Sequence, residues 1–334
     1  MKQIEFEKSI YDPQGNPLDY PGDIISNPLF ISDGRYQQIK HSDDFCSFYT
    51  SEGSDIRQIL QQKNVPAIPE RIAQVAFGAN RNLENIAWKL REYKRTDNRI
   101  SQDFIALPAY INHADVVACN IGYWGYVYSG LLTTHEHAGI RQYLLGTKCP
   151  VVVLLLDKMQ LAAIHHSEGV VIPGQTQPGV SCGISDIQVH LHDSVTCIAQ
   201  AYSLSLPFLS LDGEYPIAFE TVKTENRGDY PSMSQAEMFY HINRCIHAEQ
   251  DIDGKLPIAD TLRCANLLLL QRGVCSTREM EQHPLYAEVR TALLEHYTLK
   301  DGDGIIRNGL SDIYPVRSAE DNWKPSPLYN PIAK

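Results

Sequence analysis

Apolar residues crowd into short blocks between positions 71 and 222, and within each block they either run together or alternate with polar ones. RIAQVAF (71–77), ADVVACNIGYWGYVYSGLL (114–132), VVVLLL (151–156), DIQVHLH (186–192) and VTCIAQAYSL (195–204) are β-branched or aromatic and bounded by turn residues, which predicts strands. After KTENRGDYPSMS (223–234) the period lengthens to that of a helix. Ser234 and Glu237 stand at capping-box spacing, and Met238, Phe239, Ile242 and Ile246 fall on one side. IADTLRCANLLLLQRG (258–273), stopped by Gly273, and PLYAEVRTALLEHY (284–297) predict two further helices, followed by a polar, proline-punctuated tail. Residues 1–65, rich in Asp, Pro, Gly and Tyr, show no sustained period and read as irregular structure wrapped on the main body. The pattern thus divides the chain into an N-terminal wrap (1–65), a β-rich body (66–225) and a helical C-terminal extension with its tail (226–334), without internal repeats.

Composition narrows the function classes. The 334 residues suffice for one large domain or one with a smaller companion, since a single core rarely outgrows about 250–300 residues. Asp and Glu number 40 against 29 Lys and Arg, a formal charge of −11, which opposes a nucleic-acid partner because such binding needs a basic surface. The N-terminus MKQIEFEKSIYDPQGNP places acidic residues where a signal peptide carries its apolar core, and no apolar run approaches the roughly 18 residues of a membrane span. A soluble, cytoplasmic protein without a membrane partner is expected; its oligomeric state is left open. The 8 cysteines include no C-x-x-C pair, which opposes a zinc ribbon and a disulfide framework and leaves mostly buried thiols.

Two stretches carry chemistry. In QVAFGANRNLENIAWKL (74–90) a strand ends with Val75, Ala76 and Phe77, Gly78 permits a tight turn, and Asn80 or Asn82 caps a helix beginning near Leu83. The first amides of that helix lack intrahelical partners. With the positive end of the helix dipole they form a site for a carboxylate or phosphate, and Arg81 is a second anchor. An ordinary strand-to-helix turn fits the same residues. In VVVLLLDKMQLAAIHHSEGV (151–170) a buried strand precedes Asp157 and Gln160 at capping-box spacing, and a short helix then places Leu161, Ile164 and Glu168 on one face before stopping at Gly169. A glutamate there meets the negative end of the dipole, and burial penalises its charge. Its pKa is therefore expected to rise toward neutrality, as general acid/base catalysis requires. A glutamate fraying into solvent also fits the S-E-G tripeptide.

Together these stretches resemble the γ-glutamylcyclotransferase family. Phe77-Gly78-Ala79-Asn80-Arg81 is similar to the family's Y-G-S-N-L loop, and Leu156-Asp157 followed by Glu168-Gly169 is similar to its L-D…E-G element, about ninety residues further on. The likeness covers residues 71–222, with Phe77, Ala79 and Arg81 in place of the loop's tyrosine, serine and leucine. It implies an α+β fold, a small mixed β-barrel with flanking helices, here joined to a helical C-terminal extension. It also implies cyclisation of a γ-glutamyl amide or peptide to 5-oxoproline with release of an amine, driven by proximity and needing no metal or organic cofactor. By the same resemblance Glu168 is the general acid/base and Phe77, Gly78, Ala79, Asn80 and Arg81 hold the substrate. Tyr202 stands where members place an active-site tyrosine, although a half-buried strand aromatic is the better explanation from the residues alone.

Other readings stay open. GVSCG (179–183) matches the G-x-S-x-G elbow with Ser181 as nucleophile, but PGQTQP precedes it and alternating ISDIQVHLH follows, the wrong context for a strand-to-helix turn. His135 with His137 and His190 with His192 lie two apart, on one strand face, yet lack metal-ligand spacing. LLGTKCP (144–150) has no upstream glycine at P-loop spacing. A non-catalytic small-molecule-binding or scaffold protein on the same fold is the alternative of a different class, as the altered loop residues suggest.

Overall fold

The computed structural model describes residues 1–12, 14–16, 19–121, 127–133, 138–168, 182–204, 208–238, 300–301 and 304–305. In chain order these hold β1 (Lys2–Gln3), β2 (Leu29–Ser32), β3 (Arg35–His41), β4 (Phe48–Thr50), α1 (Ile56–Gln62), β5 (Ile72–Ala76) and α2 (Leu83–Thr96). There follow β6 (Phe104–Asn112), β7 (Ala114–Ile121), β8 (Val127–Thr133), α3 (Ala138–Leu144), β9 (Lys148–Leu156), α4 (Lys158–Ser167), β10 (Cys182–His192) and β11 (Val195–Leu204). β12 (Ala218–Phe219), β13 (Ser232–Met233) and the short antiparallel pair β14 (Lys300–Asp301) and β15 (Gly304–Ile305) complete the set.

Five of the strands close on themselves into a mixed barrel. β9 lies antiparallel between β5 and β6, β6 pairs with β10, β10 with β11, and the parallel pairing of β11 with β5 shuts the ring. Closure gives every barrel strand a partner on both sides, so none is left as an open edge. The unbroken apolar run of β9 follows from burial on both faces. Val151, Val153 and Leu155 enter one core cluster, while Val152, Leu154 and Leu156 enter the other. α2 and α4 close over the second cluster through Leu83, Ile86, Leu90, Leu161 and Ile164. Each such side chain contributes roughly 1.5–3 kcal/mol by leaving water, which is what holds the two helices beside each other.

Residues 1–65 are not an irregular wrap. β2 extends the barrel sheet by pairing with β6, β3 pairs with β2, and β1 and β4 both pair with β3. Phe30, Phe48, Ile56 and Leu60 join the same cluster as the barrel strands. The strands escaped the period-two pattern because β3, RYQQIKH, is mostly polar and largely uncovered. The turn between β2 and β3 is Asp33-Gly34 with both φ angles positive, 48° and 74°, so the Asp-Gly hairpin signal was present.

β7, β8, β12 and β13 form a second sheet. Through it the stretch just past residue 225 is knitted to the body rather than set apart as the start of an extension. Met233 pairs with Phe219, and Arg227 Nε donates to Asp115 Oδ2 at 2.6 Å. The capping box at Ser234 is formed, Ser234 N donating to Glu237 Oε2 at 2.8 Å and Glu237 N to Ser234 Oγ at 3.2 Å. The helices expected over 258–273 and 284–297 lie outside the described residues. Cys119, Cys149 and Cys197 are buried and Cys46 is exposed, none of the four in a disulfide. No helix among the described residues is long and apolar enough to cross a membrane.

Candidate active site

The chain leaves β5 at Ala76, buries Phe77 and passes through Gly78 into a single 3₁₀ turn over Ala79–Arg81. Asn82, rather than Asn80, caps α2, its side chain accepting from Asn85 N at 3.0 Å. Gly78 has a negative φ of −91°, so close approach, not backbone strain, demands the missing side chain. A Cβ there would lie 2.6 Å from Ser129 Oγ and 3.4 Å from the Tyr20 hydroxyl. Those two groups are 2.8 Å apart, and Ser129 N also donates to the Tyr20 oxygen at 3.0 Å. The loop is thus pressed against a buried pair from β8 and the N-terminal segment. Burial pushes the Tyr20 phenol well above its ordinary pKa.

On the facing side, α4 starts at an Asp157–Gln160 capping box, with Gln160 N donating to Asp157 Oδ1 at 2.8 Å and Asp157 N to Gln160 Oε1 at 2.9 Å. It ends with Glu168 as C-cap. There Glu168 Oε1 accepts from Asn80 Nδ2 at 2.9 Å and from Lys89 Nζ at 2.6 Å. The Lys89 side chain is 8% exposed and that of Glu168 27%. Lys89 Nζ also lies 4.7 Å from the centroid of the Tyr11 ring, a cation held over an aromatic face.

This arrangement reverses the expected pKa of Glu168. Burial raises it, as anticipated, but the charge and hydrogen bond of Lys89, with the bonds from Asn80 and Ser167, more than offset that effect. The carboxyl is held below the ordinary glutamate range. A nearby opposite charge and donors to the ionised form outweigh desolvation here.

No protein-family model, curated protein or solved structure matches this chain. The likeness to γ-glutamylcyclotransferases therefore rests on the residues themselves.

The structure brings Asn80 to Glu168 and leaves the other expected binding residues in varied surroundings. Phe77 packs into the apolar core, and Ala79 is buried with its carbonyl accepting from Asn85 Nδ2 at 3.1 Å. Arg81 is fully buried; its Nη2 donates to Gly22 O at 2.8 Å and to the carbonyl and hydroxyl of Thr221 at 3.2 Å. Tyr202 bonds through its hydroxyl to His165 Nδ1 at 2.6 Å, one helical turn before Glu168. Burial draws the His165 pKa down to about 4, opposed by Glu168, so that imidazole is neutral at physiological pH. His166 bonds Tyr93, and His190 stacks on Tyr110. Ser181, His135 and His137 lie outside the described residues, among which no cluster of metal-ligating side chains occurs. The sequence reading missed Lys89, Tyr11, Tyr20 and Ser129. Lys89 alone left a signal, standing three residues after Ile86 beside the apolar stripe of α2.

Proposed function

We propose that the chain is a γ-glutamylcyclotransferase-like enzyme of the small mixed-barrel type, converting a γ-glutamyl amide or peptide to 5-oxoproline and an amine. The observation that carries the reading is the 2.9 Å bond from Asn80 Nδ2 to Glu168 Oε1, which joins the two stretches that resemble the family. Glu168, ionised, accepts a proton from the substrate's α-ammonium. The freed amine attacks the γ-carbonyl, the ring-closing C–N bond forms, and the original γ-amide C–N bond breaks. Two protons pass from the α-nitrogen to the departing nitrogen, with Glu168 as relay. Because Lys89 Nζ at 2.6 Å holds Glu168 ionised, the carboxyl is a stronger acid than expected and passes its relayed proton readily to the departing amine. The leading N–H groups of the 3₁₀ turn, which have no partner within it, face the α-carboxylate. Ring closure draws its advantage from orientation within one molecule.

The Lys89 pair also favours a second reading, a non-catalytic small-molecule-binding protein whose acid is neutralised. Measuring 5-oxoproline release from γ-glutamyl compounds, together with calorimetric binding, separates the two. Wild type is expected to release 5-oxoproline, and Glu168→Gln to lose about 10²–10⁴-fold in rate while still binding substrate. Binding without release by the wild type establishes the second reading.

A further inference from the structure

Arg81 is fully buried, yet among the described residues no acceptor reaches its Nε or Nη1. Nη2 is taken by Gly22 and Thr221, so the remaining N–H donors of the guanidinium are unspent, a costly condition for a desolvated cation. Asp115, a buried acid that like Arg81 acts on the Cys149 thiol, is already committed. Asp115 accepts from Arg227 Nε at 2.6 Å, from Arg227 Nη2 at 3.1 Å and from Val116 N at 2.8 Å, and it also holds the hydroxyls of Thr224 and Tyr230. Asp23 is exposed and acts on Arg81 only through its field, as do the Cys149 thiol and the Tyr20 phenol. Burial lowers the Arg81 pKa to about 10, which leaves it charged at neutral pH. A charged, buried guanidinium that among the described residues has unpaired donors and no ion-pair partner, one residue beyond Asn80, matches the chemistry of an oxyanion receptor.

We propose that Arg81 receives a carboxylate of the ligand, so that the site takes acidic compounds and discriminates against their amides. This rests on the γ-glutamyl reading and narrows its substrate class. The carboxylate is either the α-carboxylate of the glutamyl group or one carried by the departing amine.

The test is thermal melting and calorimetry of the full chain with glutarate, a diacid that cannot cyclise, and with its diamide. In the wild type glutarate raises the melting midpoint and the diamide does not. Arg81→Met weakens glutarate binding roughly 10- to 100-fold, the loss of one or two charge-assisted hydrogen bonds, and Arg81→Lys recovers part of it. If Arg81→Met fails to fold, the wild-type comparison decides alone: equal responses to diacid and diamide, or none to glutarate and γ-glutamylglycine alike, overturn the proposal. In a folded Arg81→Met protein, unchanged glutarate affinity overturns it too, marking a structural arginine satisfied by trapped water. Weakening confined to γ-glutamylglycine, with γ-glutamylmethylamide spared, assigns the departing-group carboxylate; weakening with both assigns the α-carboxylate. A protein that binds glutarate through Arg81 but releases no 5-oxoproline keeps the receptor and sinks the enzymatic reading instead.

Discussion

Glu168 accepts both of its strong hydrogen bonds, from Asn80 and Lys89, on the same oxygen, Oε1. That geometry makes it a held carboxylate, kept in its ionised form and poor at keeping a proton. Its position at a helix end was legible in the sequence, because Asp157 and Gln160 mark where α4 starts. Its electrostatics were not, because the deciding cation sits on another helix and arrives only by tertiary packing. Replacing Lys89 with methionine leaves burial as the main influence, so the Glu168 pKa moves from below the ordinary glutamate range to above it. The sign follows: in the wild type the pair stabilises above the ordinary glutamate pKa, and that contribution is lost as pH falls through the depressed value. Lys89→Met should cost about 2 kcal/mol at pH 7, less than the roughly 3–5 kcal/mol of breaking a fully buried pair, because Glu168 keeps some access to water. Urea denaturation of both proteins from neutral pH down through the carboxylate range measures this, and the gap should shrink on acidification. A gap independent of pH would show that the lysine contributes only packing.

At the scale of elements, the Glu168 end of α4 depends on its other end. Gln160 accepts from Asp157 N, donates through Nε2 to the carbonyls of Ser101 and Asp103 at 2.9 and 3.0 Å, and accepts from the buried Arg71 at 3.4 Å. One amide therefore ties the helix start to the segment before β6 and to the residue before β5. Gln160→Ala leaves several buried groups short of partners and should cost about 2–3 kcal/mol by denaturant unfolding. Turnover should fall as well, since the helix that carries Glu168 loses its anchor; a stable, fully active variant would contradict the coupling. The capping box was readable from two residues three apart. The anchoring was not, because Ser101 and Asp103 have no periodic relation to α4. Long apolar strands such as β9 announced themselves for the opposite reason, being buried on both faces, whereas the polar β3 could be found only from its Asp-Gly turn.

At the scale of the whole molecule, closure of the barrel by β5 and β11 brings together strands far apart in sequence, and no local pattern encodes that parallel register. The same long-range convergence sets the loop. Tyr20 comes from a segment taken for a loose wrap, Ser129 from β8 in the second sheet, and Gly78 from the end of β5, so three regions meet within a few ångströms. A methyl group at 78 must displace the Ser129 hydroxyl, and Gly78→Ala is expected to destabilise by about 1–3 kcal/mol, the usual penalty for overfilling a packed site. Ser129→Ala alone loses the Tyr20 bond at a cost of about 1 kcal/mol, but in the double variant the clash is gone and part of the Gly78→Ala loss returns. A double-mutant cycle in urea should therefore give a favourable coupling of about 1 kcal/mol between positions 78 and 129. Zero coupling would mean that the close approach does not exist in solution. Because the displaced loop also carries Asn80, 5-oxoproline release should fall in Gly78→Ala and partly recover in the double variant. Stability and turnover then move together, as they must if the fold's three regions and the proton-handling carboxylate share one packed junction.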